Sequence, residues 1–101
     1  MREVFVAGIG MTPFGRFPDT TIEALGRQAI LAALEDAGIG QNDVEVAYAG
    51  HARTGRLHKR ENGVGQLCCW SAGIREIPIA GVGNFCASGS TALRETWMAV
   101  G

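Results

Sequence analysis

One stretch of this sequence combines a nucleophilic side chain with a backbone setting that would activate it. Asn84-Phe85-Cys86-Ala87-Ser88-Gly89-Ser90 lies between an apolar, strand-like run and a helix-like run. A cysteine at such a junction sits at the N-terminal end of the helix, where free backbone N–H groups and the helix dipole favour negative charge. Both effects stabilise thiolate over thiol, and the thiolate is the attacking species. Ala87, Ser88, Gly89 and Ser90 are small, which keeps the sulfur approachable and lets a substrate come close to the main chain. Asn84 has a short side chain able to bond neighbouring backbone groups and is placed to orient the turn. In a parallel α/β sheet, strand-to-helix junctions are also where ligands bind. Asn84, Ser88 and Gly89 are therefore the candidate substrate-binding residues around a candidate catalytic Cys86. The competing reading of the same residues is an inert buried cysteine, with Gly89 easing helix packing, because free cysteines are so often core residues.

Other residues that invite chemistry have simpler explanations. Gly8-x-Gly10 follows a strand-like run, but Pro13 stands where a dinucleotide-binding fingerprint needs its third glycine, so a tight turn explains the pair. Arg53, Arg56, His58, Lys59 and Arg60 form a basic run that could face phosphates. A solvated loop is the commoner role of such a run. His51 and His58 sit in the same polar, glycine-punctuated stretch without a fixed partner, and no catalysis is assigned to them. Cys68 and Cys69 fall on a helical run as core filler, and Trp70 and Trp97 as packing residues.

The elements that must position Cys86 can be followed along the chain. Residues 3–9, EVFVAGI, are β-rich and apolar enough for a strand covered on both faces. After a loop punctuated by Gly10, Pro13, Gly15 and Pro18, Thr20 and Glu23 stand at capping-box spacing. Ile22, Leu25, Ala29, Ile30, Ala33, Leu34 and Ala37 then recur at helical intervals, and Gly38 marks the helix end. Residues 44–49 read as a second strand, 61–73 as a less regular helix carrying Val64, Leu67, Cys68 and Ala72 on its apolar side, and 77–82 as a third strand. Residues 87–100 read as a last helix, with Ala87, Leu93, Trp97 and Val100 on its apolar period. The order β-α-β-α-β-α argues for an α/β fold, with helices packed on a parallel or mixed sheet. The last helix is still running at Gly101, so residues 1–101 read as part of a domain, incomplete at the C-terminus.

Composition narrows the function classes. The 101 residues are 47% hydrophobic and 19% charged, which suits a soluble globular chain of one domain at most. A formal charge of −1 supplies no field for nucleic acid or for an anionic membrane surface. No apolar run approaches the roughly 18 residues needed to span a bilayer, and the N-terminus lacks a secretory pattern. Three cysteines, two of them adjacent, make no disulfide framework and fit a reducing, cytoplasmic setting. With no CxxC pair and no His/Cys cluster at zinc spacing, no metal site is expected.

NFCASGSTAL resembles the nucleophile motif of the thiolase superfamily, an Asn-x-Cys-x-x-Gly-Ser-x-Ala-Leu stretch that opens a buried central helix. GIGMTPFG resembles the opening of thiolases of the sterol-carrier-protein type, and the likeness runs the length of the chain. The resemblance implies the first part of a thiolase N-terminal domain, with its βαβαβα layers and mixed sheet. It implies that Cys86 takes an acyl group from an acyl-CoA and passes it on, forming or cleaving a 3-ketoacyl-CoA in lipid metabolism. The coenzyme A thioester is then substrate, and no cofactor is required. The main-chain N–H of Cys86 becomes half of an oxyanion hole. The family's second donor glycine, its histidines and its second cysteine fall outside these 101 residues, which alone would be inactive. A homodimer or homotetramer is implied, the strand at 77–82 pairing across a two-fold axis. Some sterol-carrier-type relatives add a small zinc-ribbon and OB-fold partner. Two alternatives stay open: retro-aldol cleavage of a CoA-linked side chain, and a non-catalytic scaffold subunit of the same fold. Ketoacyl synthases share the fold, but Ala-Ser-Gly after Cys86 is more similar to the thiolase pattern.

Overall fold

A computed structural model describes residues 2–52 and 63–101. The first helix, α1, spans Ile22–Ala37. Its cap is Thr21, whose Oγ1 accepts the Ala24 N–H at 3.2 Å, one residue beyond the Thr20 that the capping-box spacing suggests. Glu23 in the first turn places a negative charge at the positive end of the helix dipole. The helix ends at Gly38 in a left-handed conformation, φ 71°, as the sequence requires. All seven residues of its anticipated apolar face are half-buried. A single 3-10 turn, Gln41–Asp43, follows and leads to the first strand, β1, Ala47–Gly50.

β1 pairs in parallel with β2, Ile79–Val82, in the register Ala47–Ile79 through Gly50–Val82. Parallel neighbours need a crossover, and α2, Val64–Ser71, lies within that connection and packs on both strands. The last helix, α3, spans Ser88–Val100 and packs mainly on β1. The chain is therefore α/β, with helices α1 and α2 against each other and α2 and α3 against the sheet.

The core is built from small and β-branched side chains: Val64, Cys69, Ala72 and Ile74 on and after α2, and Ala92 on α3. Of the two cysteines on α2, Cys69 is the more deeply buried, and Cys68 is half-buried against α1. On α3 the anticipated apolar stripe is not the buried one: Leu93, Trp97 and Val100 are exposed, while Ser88 and Ala92 are buried. Small residues win that face because they let the helix approach the strands closely, which Leu or Trp would prevent.

Residues 3–9 do not form the expected first strand. The segment lies across α1, where a Cβ on Gly8 would come within 2.5 Å of the Ala33 oxygen and 2.6 Å of the Ala37 nitrogen. The Ile9 N–H donates to Asp36 Oδ2 at 2.9 Å. An apolar run becomes a strand only if a ladder partner takes its backbone groups. Here the glycines let the backbone settle on a helix instead. The sheet among the described residues is accordingly parallel and two-stranded rather than mixed. An apolar cleft of about 490 Å³ remains between residues 4–8, the C-terminal half of α1 and the Leu93–Trp97 side of α3.

Candidate active site

The turn that carries Cys86 is built from the end of β2 outward. After Val82 the chain passes Gly83 and Asn84 and makes one 3-10 turn, Phe85–Ala87, which runs directly into α3. The Ala87 N–H donates to the Asn84 carbonyl at 2.9 Å, and the Ser88 N–H donates to the Phe85 carbonyl. Phe85 is left-handed, φ 48°, a conformation that costs a non-glycine residue about 1–2 kcal/mol. Cys86 is exposed at the apex, two residues before the helix starts. The sulfur is neither sealed in hydrocarbon nor placed in mid-helix. No side chain caps the first turn of α3, since Ala87 occupies the cap position.

Two hydroxyls hold this turn. Ser88 is buried, and its Oγ accepts the Asn84 N–H and donates to the Phe85 carbonyl, both at 2.8 Å. Thr91 Oγ1 donates to the Ala87 carbonyl at 2.9 Å and accepts from Asn84 Nδ2 at 3.0 Å. A net hydrogen bond is worth roughly 0.5–1.5 kcal/mol, so the Ser88 pair alone is enough to offset the strain at Phe85. Asn84 therefore acts on the turn through Thr91. Ser88 is buried with its hydroxyl engaged on both sides. Gly89 borders open space: a Cβ there would meet nothing within 4 Å. Of the anticipated site residues, Cys86 and Gly89 lie on the open side of the turn, and Asn84 and Ser88 brace it.

Thr91 and Gly50 belong to the same constellation and were not singled out by the sequence. Thr91 could have been found from its position one helical turn after Ala87, where a threonine hydroxyl bonds back to the carbonyl four residues earlier. Gly50 carried no such signal. It ends β1, far from Cys86 in sequence, yet a Cβ on it would overlap the Ser88 carbonyl oxygen and lie 2.6 Å from the Ser88 carbonyl carbon.

His51 follows Gly50, and its N–H donates to the Val82 carbonyl at 3.3 Å. It lines a cleft of about 310 Å³ at the C-terminal ends of the two strands, with Gln66, Gly81 and Gly83. The basic run Arg53, Arg56, His58, Lys59, Arg60 lies outside the described residues. Gly8 and Gly10 meet the C-terminal half of α1 rather than a helix N-terminus, as packing glycines would. Burial pushes the Cys68 thiol up, with Cys69 and Glu23 adding to it, and burial alone pushes Cys69 up. Neither is a nucleophile in this setting. Among the described residues, no three His, Cys, Asp or Glu side chains gather as a metal cluster, and no helix is long and apolar enough to cross a membrane.

A parallel β-α-β unit with an exposed cysteine on the strained turn between strand and helix defines a class of α/β proteins that present a thiol at the carboxyl edge of a sheet. Residues 4–101 match the family described as "Thiolase, N-terminal domain", and the chain belongs to the thiolase family. It is 38% identical over 100 residues to an acetyl-CoA acetyltransferase of Methanothermobacter thermautotrophicus, covering 99% of this chain and 26% of the relative. A Methanocaldococcus jannaschii acetyl-CoA acetyltransferase is 36% identical over 95 residues, 94% of this chain and 24% of the relative. Sterol carrier protein 2 of Gallus gallus is 38% identical over 95 residues, 91% of this chain and 16% of the relative. The chain thus spans about a quarter of the length of the two acetyltransferases.

Proposed function

We propose that Cys86 is the acyl-accepting nucleophile of a thiolase-type acyltransferase acting on coenzyme A thioesters. The observation that carries this reading is the exposure of Cys86 on a braced turn whose first residue, Phe85, is left-handed, at the head of α3, in a chain of the thiolase family. In the step envisaged, the Cys86 sulfur attacks the thioester carbonyl and the carbon–sulfur bond to coenzyme A breaks. Coenzyme A leaves as its thiolate, and the acyl group stays on Sγ. The Cys86 proton passes to a base elsewhere in the full-length protein, where the family resemblance places the histidines. Splitting the displacement into acylation and deacylation replaces one hard step by two easier ones. The Cys86 N–H, in the 3-10 turn that runs into α3, is suited to receive the developing oxyanion, an interaction type worth about 2.7–4 kcal/mol of barrier. The acceptor is a second acyl-CoA in synthesis or free coenzyme A in cleavage. This chemistry needs the thioester substrate and no further cofactor.

The test uses the full-length protein. Incubation with acetyl-CoA alone, followed by acid quench and peptide mass spectrometry, should place one acetyl group on the Cys86 peptide. Cys86→Ser should abolish both that adduct and acyl transfer. Retention of transfer by Cys86→Ser, or an adduct on another cysteine, would remove the assignment. A chain that binds acyl-CoA without acquiring the adduct would instead be a scaffold subunit.

A further inference from the structure

We infer that Ser88 and Gly50 are positioning residues for Cys86, a clasp that sets the nucleophile turn from the neighbouring strand β1 as well as from β2. The inference rests on the reading of Cys86 as nucleophile and gives Ser88 and Gly50 a task in setting its turn.

Ser88 is the one buried polar residue among those described, and it is not idle. Its Oγ closes a small ring: it accepts from Asn84, just before the turn, and donates to Phe85, the left-handed residue immediately before Cys86. Losing the hydroxyl frees the Asn84 N–H and leaves the Phe85 carbonyl with the Ser88 N–H alone, at the point where the backbone is least content to stay. The turn can then relax toward negative φ, which redirects the next residue, Cys86.

The clasp needs an anchor, and β1 supplies it. Gly50 lies against the Ser88 carbonyl, and any side chain at position 50 would also crowd the Gly89 nitrogen, 3.0 Å from an added Cβ. Helix α3 therefore begins where the end of β1 allows it to begin. Gly50 is itself fixed in the ladder opposite Val82, the last residue of β2, so both strands converge on the same turn. The His51 N–H bond to the Val82 carbonyl extends that pairing one step further. With the front of the turn open at Gly89 and its back held by Ser88 against Gly50, the sulfur is left on the accessible side. A misplacement of about 1 Å at a reacting group can cost about 10²-fold in rate.

The experiment compares Ser88→Ala, Ser88→Thr and Gly50→Ala in the full-length chain. It reads acyl-transfer kcat and KM, and the iodoacetamide alkylation rate of Cys86 by peptide mass spectrometry, normalised to folded protein. The expected result is a fall in kcat of about 10²-fold for Ser88→Ala and Gly50→Ala. KM should change little, Cys86 alkylation should slow in parallel, and Ser88→Thr, which keeps the hydroxyl, should recover. A merely structural role would lower the melting temperature but leave kcat per folded molecule and the alkylation rate intact, and that outcome overturns the inference. If the unaltered Cys86 alkylates no faster than a free thiol and forms no acyl adduct, the nucleophile reading itself fails, a result distinct from the first. Should neither alanine variant fold, a crystal structure of the unaltered chain decides. A negative φ at Phe85, or Ser88 Oγ beyond hydrogen-bond distance of the Phe85 carbonyl, refutes the clasp, and retention of both supports it.

Discussion

The crossing of α1 and α2 sets two general effects against each other at Gly26. Glycine inside a helix is less favourable than alanine by about 0.8–1.0 kcal/mol, so Gly26→Ala should stabilise an isolated α1. In the fold, however, the added Cβ would overlap Cys68 Sγ and lie 2.6 Å from Cys68 Cβ. Carbon atoms in contact rest at about 3.5–4.0 Å, so the two helices must part by about 1 Å. Rotation of Cys68 can move its sulfur but not its Cβ, and it would give up the 3.6 Å contact from Sγ to the Ile22 carbonyl. Overpacking of this kind costs about 1–3 kcal/mol, so it cancels or exceeds the propensity gain and leaves Gly26→Ala destabilising by about 0–2 kcal/mol. Urea denaturation of the full chain measures this directly. Combining the change with Cys68→Gly, which removes both crowding atoms, should recover at least about 1 kcal/mol as coupling. Stabilisation by Gly26→Ala alone would show that the helices do not touch there.

Two further outcomes follow from local features. Thr21→Ala removes the acceptor of the Ala24 N–H and should cost about 1 kcal/mol, whereas Thr20→Ala should stay within about 0.5 kcal/mol; denaturation midpoints of the two variants tell the caps apart. Burial raises the Cys68 and Cys69 thiols in the folded chain, so the unfolded chain loses those protons first, near the ordinary thiol value of 9.0. The stability they contribute is whole below that pH and is lost as pH rises through the higher folded values, so the denaturation midpoint should fall above pH 9 and less steeply in Cys68→Ala.

The parts legible in the sequence are those fixed by local rules. A 3.6-residue apolar period and a terminal glycine placed α1, with the cap displaced by a single residue because two threonines compete for it. The strands expected at 44–49 and 77–82, found at 47–50 and 79–82, and the turn at Cys86 followed from apolar runs broken by glycine. Non-local choices were not legible. Whether residues 3–9 pair as a strand depends on which surface takes their backbone, and Gly8 permits a close seat on α1. Which face of α3 turns inward depends on how near β1 comes, and that is set by Gly50 against Ser88, residues far apart in sequence. Ser88 read as a substrate contact because small polar residues beside a nucleophile commonly are; only the fold shows its hydroxyl spent on Asn84 and Phe85.

Differential alkylation reads whether Cys86 is held ready to accept an acyl group. In the full-length protein, iodoacetamide should modify the exposed Cys86 far faster than Cys68 or Cys69, and prior acetyl-CoA should protect it. Labelling of Cys86 at the rate of an ordinary free thiol, unaffected by acetyl-CoA, would mean that Cys86 is not the acyl acceptor.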